Sequence, residues 1–170
     1  GVATETRRLV DKISGTNTRV CCTRKTIPGL RILQKYAVKC GGGFNHRFGL
    51  SDGILIKDNH IKASGGIKNA VKEIKSISGH MQKIEIEADN INQVIAAIDS
   101  GVDVIMLDNM TLSDIRNALR IINKKVLVEA SGSISVDNIR DIAETGVDII
   151  SVGWITHSAP SLDVGLDFKD

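Results

Sequence analysis

The 170 residues include three cysteines, two prolines and five aromatics, and no apolar run approaches the ~18 residues a bilayer span requires. Each scarcity excludes something. An odd, small number of cysteines argues against a disulfide scaffold and for a reducing compartment, which places the protein in the cytoplasm. Five aromatics (Tyr36, Phe44, Phe48, Trp154 and Phe168) are too few for a stacking platform on single-stranded nucleic acid. Without Pro-, Ser- or Gln-rich stretches there is no case for disorder. No basic segment leads into an apolar one, so no secretory signal is visible. What remains is an ordinary globular composition, 42% hydrophobic and 25% charged, of a length suited to one domain. The chain opens with Gly1 directly on a helical pattern (Val2, Leu9, Val10, Ile13), as expected of a piece cut from something longer.

The net charge of +2 hides an asymmetry. Residues 19–62 carry nine basic and two acidic side chains, and the remainder carries 13 basic and 18 acidic ones. A basic region facing an acidic remainder suits a small polyanionic ligand, with a metal on the acidic side. Lys35 and Lys39, at helical spacing, read as a solvated helix face.

The hydrophobic pattern alternates between periods of two and 3.6. RVCCTRKT reads as a strand, then PGLRILQKYAVKC as a helix with Pro28 in its first turn and Leu30, Leu33, Tyr36, Ala37 and Cys40 on one face. GGG at 41–43 ends it. GILIKDNH, KIEIEAD, VDVIMLDN, KVLVEASG and VDIISVG read as further strands. The helices between them include 65–79, with Ile67, Val71, Ile74 and Ile77 inward, and one closed by Gly101. Another starts at a Thr111 cap, and one runs from a Ser135 cap to Gly146. Strict alternation predicts an α/β fold with a parallel sheet. Strand after strand ends in chemically capable residues, as at the carboxyl rim of a TIM-like (β/α) barrel. About six strands, against eight in a full barrel, predict an incomplete one.

The strand ends supply candidates. Glu85 and Glu87 point to one side of their strand, Asp89 continues the row, and Asp108 ends the next strand. Glu87 and Asp108 on adjacent strands could hold Mg²⁺, directly or through water. Glu85 is open between that role and a buried ion pair with a lysine of another strand. The histidines lack metal-site spacing, His80 reads as surface, and Cys21 and Cys22 read as core fillers. Ser131-Gly132-Ser133 and Gly153, at late strand-to-helix loops, suit a phosphate held by backbone N–H groups. Arg24, His46, Arg47 and Lys57 around one rim suit a ligand with more than one carboxylate.

The string TRKTIPGLRILQKYAVKCGGGFNHRFGLSDGILIKDNHI closely resembles the motifs of the quinolinate phosphoribosyltransferases, and the likeness continues through IEIEAD, IMLDN, EASGSI and SVGWITHS. The resemblance implies synthesis of nicotinate mononucleotide, pyrophosphate and CO₂ from quinolinate and phosphoribosyl pyrophosphate, with Mg²⁺, in de novo NAD synthesis. It implies an N-terminal α/β domain, absent from this chain, ahead of an incomplete barrel, and homodimers whose sites are completed by the partner's N-terminal domain, including an arginine. The chain alone is therefore expected to be inactive or poorly active. By motif, Thr23, Arg24, His46, Arg47 and Lys57 correspond to quinolinate-binding residues, and Lys25 to a lysine at the reacting centre. Glu87 and Asp108 correspond to the acidic pair near ribose and Mg²⁺-pyrophosphate, and Ser131, Gly132, Ser133 and Gly153 to the 5′-phosphate loops. The family pattern SGG reads SGS here, so Ser133 must adopt a backbone conformation glycine prefers or the turn must differ. A paralogous phosphoribosyltransferase, of the molybdenum-utilisation type or for another aromatic acid, would lose part of the Arg24/His46/Arg47/Lys57 set. A non-catalytic ligand-binding module would have no need of Glu87 and Asp108. A nucleic-acid reader is disfavoured by the few aromatics, and a membrane partner by the lack of a span.

Overall fold

A computed structural model describes residues 1–168. Helix α1 (Val2–Lys12) is followed by β1 (Arg19–Cys21), α2 (Arg31–Cys40), β2 (Ile54–Ile56), α3 (Asp58–Ala63) and α4 (Ile67–Ile77). Then come β3 (Ile84–Ala88), α5 (Ile91–Ser100), β4 (Val104–Asp108), α6 (Leu112–Ile122), β5 (Leu127–Ser131), α7 (Ile139–Ala143), β6 (Ile149–Ser151) and α8 (Trp154–His157). The six strands form one parallel sheet in the order β1-β6-β5-β4-β3-β2. On the free side of β1 the chain around Phe44 adds a parallel bridge to Cys21. Among the described residues the ladder stops there, so the barrel is incomplete between Phe44 and β2, as expected.

Register explains how one sheet serves both packing and chemistry. Glu87 pairs with Met106, Met106 with Glu129, and Asp108 with Ser131, so these side chains share the inner face. The alternate positions, Ile86, Ile105, Val128 and Ile150, are buried outward against the helices. The helix ends obey local chemistry. Thr111 Oγ1 accepts from Asp114 N at the start of α6, Asn90 caps α5, and Gly101 closes α5 in the left-handed region. Gly41 brings α2 against α1: a β-carbon there would stand 2.6 Å from the carbonyl oxygen of Ala3.

Several expectations fail. Helix α2 begins at Arg31, with Pro28 and Gly29 in a preceding turn, and its buried residues are Gln34, Lys35 and Val38, so Lys39 is exposed as expected but Lys35 is not part of a solvated face. Leu30, Leu33 and Tyr36 are exposed, at 42%, 65% and 69%. Hydrogen-bond demand outweighs apolar periodicity here: Gln34 binds the Ile27 N–H and the Thr156 carbonyl. Ile77, in the last turn of α4, is exposed rather than inward. Residues 58–60 begin α3 instead of extending the strand, with His60 Nδ1 accepting from Lys57 N. Ser135 does not open α7, because Asn138 Oδ1 takes the Ser135 N–H and holds 135–138 outside the helix.

Candidate active site

The carboxyl ends of the strands surround a cavity of about 690 Å³. Thr23, Arg24, Lys25, His46, Arg47, Lys57, Glu87, Asp108, Ser131, Gly132, Ser133 and Gly153 all line it, so these twelve residues, picked out in the sequence, reach one mouth. Asp89 does not; it lies at the α5 cap, bonded to Asn90 and Gln93. Cys21 and Cys22 are buried as expected, whereas Cys40 is exposed, and burial pushes the Cys21 thiol far up, away from reactivity.

On the cationic side, Arg24 and Arg47 have no carboxylate within ion-pairing distance among the described residues. The Nε atoms of Arg24 and Arg47 are buried and without a hydrogen-bond partner. Arg47 anchors one end of its guanidinium on the Gly53 carbonyl at 2.9 Å. Burial, and then the neighbouring Arg24 charge, lower its pKa. Two buried, unpaired donors with like charge are unfavourable unless an anion arrives. Lys57 differs: its ammonium is bonded to Glu87 Oε1.

Beneath the arginines sits a buried cluster. His46 Nε2 lies 3.1 Å from Glu85 and 3.5 Å from Glu129. Burial works against the imidazolium, but the hydrogen bonds to Glu129 and Glu85 prevail and raise its pKa to about 10. Burial raises the Glu85 carboxyl above its usual range. Glu85 is thus a buried ion-pair residue, and its partner is a histidine rather than the expected lysine. Glu129, 2% exposed, escaped the sequence reading. The available signal was its place two residues before Ser131, on the same face of β5.

On the opposite rim, Gly132 has φ 94° and Ser133 φ 49°. Ser133 therefore takes the left-handed conformation glycine prefers, and the turn is preserved. A β-carbon at Gly132 would meet Asn109 Oδ1 at 2.2 Å and Asn109 N at 2.8 Å. Only glycine lets the loop after β5 press on the loop after β4. Asn109 is itself left-handed, at φ 52°, and lines the cavity although sequence reasoning passed over it. Trp154 Nε1 donates to the Ile134 carbonyl and braces the same loop. Lys25 reaches across to Gly153, its Cδ 3.3 Å from where a β-carbon would stand.

Cationic and anionic groups thus share one cavity, with a glycine turn beside them. Residues 2–167 match the family model described as quinolinate phosphoribosyl transferase, C-terminal domain. The chain belongs to this family. It is 47% identical over 167 residues to a probable carboxylating nicotinate-nucleotide pyrophosphorylase of Bacillus subtilis, covering 98% of this chain and 58% of that protein. The human carboxylating nicotinate-nucleotide pyrophosphorylase is 33% identical over 171 residues, with 98% and 58% covered. A solved structure of the nicotinate-nucleotide pyrophosphorylase of Ehrlichia chaffeensis superposes with a TM-score of 0.94 at 48% identity, covering 98% of this chain and 61% of that one. The chain therefore spans about three fifths of these quinolinate phosphoribosyltransferase relatives. The incomplete barrel is the part of the family fold that it represents.

Proposed function

We propose that the protein carrying this chain converts quinolinate and phosphoribosyl pyrophosphate to nicotinate mononucleotide, pyrophosphate and CO₂, a step of de novo NAD synthesis. The pair of buried, unpartnered guanidinium nitrogens of Arg24 and Arg47 carries the reading. It is an anion site awaiting carboxylates, opposite Glu87 and Asp108.

In this reading Arg24, Arg47 and His46 hold the two carboxylates of quinolinate and aim the pyridine nitrogen at the ribose C1. The nitrogen bonds to C1 as the C1–O bond to pyrophosphate breaks. Positive charge develops on the sugar, and the carboxylates of Glu87 and Asp108 stabilise it. The Gly132–Ser133 turn holds the 5′-phosphate, and Lys25 stabilises charge on the leaving pyrophosphate. The C2–carboxylate bond then breaks to release CO₂, its electron pair stays on C2 where the adjacent cationic ring nitrogen stabilises it, and C2 takes up a proton from water. No covalent enzyme intermediate is required.

The acidic pair also fits Mg²⁺. Lys57 engages Oε1 of Glu87, and Asn109 donates to Oδ2 of Asp108, which leaves each carboxylate a second hard oxygen. When bound there, Mg²⁺ would supply charge neutralisation for the pyrophosphate. A cytoplasmic homodimer, with each site completed by the partner's N-terminal domain, accords with the exposed apolar face of Ile32, Leu33 and Tyr36. No helix among the described residues is long and apolar enough to cross a membrane.

The test is calorimetric titration with quinolinate. Saturable binding is expected, and Arg24→Ala should cost about 2–5 kcal/mol of affinity. Arg24→Lys should not restore it, because an ammonium lacks the planar fork. Absence of binding and turnover in the intact protein would overturn the proposal.

A further inference from the structure

Lys35 is 4% exposed, and no carboxylate of the described residues lies within ion-pairing distance of it. A buried ammonium without a counter-ion is unfavourable, and a leucine or methionine would fill the same space at lower cost. The ammonium's three N–H groups instead meet three acceptors. They are Cys22 Sγ at 3.2 Å, the Thr23 carbonyl at 3.4 Å and the His46 carbonyl at 2.9 Å.

The two carbonyls belong to the peptide groups immediately preceding Arg24 and Arg47. One turn earlier on α2, Arg31 reaches the same two segments. Its guanidinium donates to the Arg24 carbonyl at 3.3 Å and the Phe48 carbonyl at 3.2 Å. One helix face therefore grips both arginine-bearing segments. Those segments follow β1 and Phe44, and the two guanidinium groups they carry repel one another. Nothing about packing alone calls for a cation at position 35.

We propose that Lys35 is a positioning residue for quinolinate: its ammonium staples the peptide groups before Arg24 and Arg47 and sets the separation of the two guanidinium groups. Arg31 supports the same staple from the neighbouring turn. The inference rests on the functional reading above for its ligand, but the staple itself is a property of the fold.

Two measurements on Lys35→Met in the protein that carries this chain separate these. The first is amide hydrogen exchange. Exchange is expected to rise in residues 22–26 and 44–48 together, with β3, β4 and β5 still protected. The second is steady-state kinetics. The KM for quinolinate is expected to rise at least about tenfold, while that for phosphoribosyl pyrophosphate stays within about twofold. Unchanged exchange in the two segments overturns the staple. Unchanged KM for quinolinate, or parallel rises for both substrates, overturns its positioning role. A wild-type protein without turnover would remove the functional reading, and the exchange result would still decide the staple. Should Lys35→Met fail to fold, Lys35→Arg keeps the charge but cannot place one nitrogen on all three acceptors, and the same readouts apply.

Discussion

Nε2 of His46 stands 3.1 Å from the carboxylate of Glu85, and both groups are largely withdrawn from water beneath the arginines. The folded protein holds the His46 proton to about pH 10, whereas an unfolded imidazole loses it near 6.5. The folded state thus binds the proton more tightly. Its stabilising contribution is complete below about pH 6.5 and disappears as pH rises through about 10. The raised Glu85 acts in the same direction, since it too keeps a proton longer in the folded state. Urea unfolding between pH 6 and 10.5 should show stability falling more steeply in the wild type than in His46→Gln. Equal slopes would contradict the ion pair. His46→Ala should cost about 3–5 kcal/mol at pH 7, because it strands Glu85 and Glu129.

The contact between Gly132 and Asn109 makes an opposite pair of predictions at adjacent positions. Gly132→Ala forces a β-carbon into the Asn109 backbone at a positive φ, and should weaken phosphate-containing ligands and lower stability by about 1–3 kcal/mol. Ser133→Gly relieves a left-handed serine and should be neutral or stabilising by up to about 1 kcal/mol. Thermal unfolding with and without inorganic phosphate tests both. A destabilised Ser133→Gly would mean that the hydroxyl, 3.5 Å from Asn109 Oδ1, matters more than the strain.

Glu87 and Asp108 lie on the cavity face of adjacent strands. Glu87→Gln and Asp108→Asn should each lower kcat by about 10²-fold, with unfolding temperature little changed. Full turnover in either variant would remove that residue from the reaction. Because Lys57 leans on Glu87, Glu87→Gln should also disturb the affinity for quinolinate, and Asp108→Asn should not.

Tyr36 and Leu33 turn large apolar surfaces outward on α2. If that face is covered by a second copy, Leu33→Asp should shift the intact protein towards monomer in sedimentation velocity. A wild-type monomer at the same concentration would argue against the assembly.

How much of this was legible beforehand depends on the range of the forces involved. Strand alternation and helix caps such as Thr111 and Gly101 are local signals, and they located most elements. They failed at α2, where Gln34 and Lys35 turned inward to serve carbonyls from distant segments. Nothing in the helix's own apolar spacing could reveal those acceptors. Glu129 was missed for a related reason: its meaning comes from sharing His46 with Glu85 on another strand.

The amino-acid sequence alone determined the parallel barrel, the family and many but not all residues of the mouth, because periodicity, turn glycines and long motifs are written along the chain. Only the tertiary structure decided which charges are paired. It gave Glu85 to a histidine, buried Lys35, and left Arg24 and Arg47 without a carboxylate partner. Burial and counter-charge depend on what the fold brings from elsewhere, and no single segment carries that information.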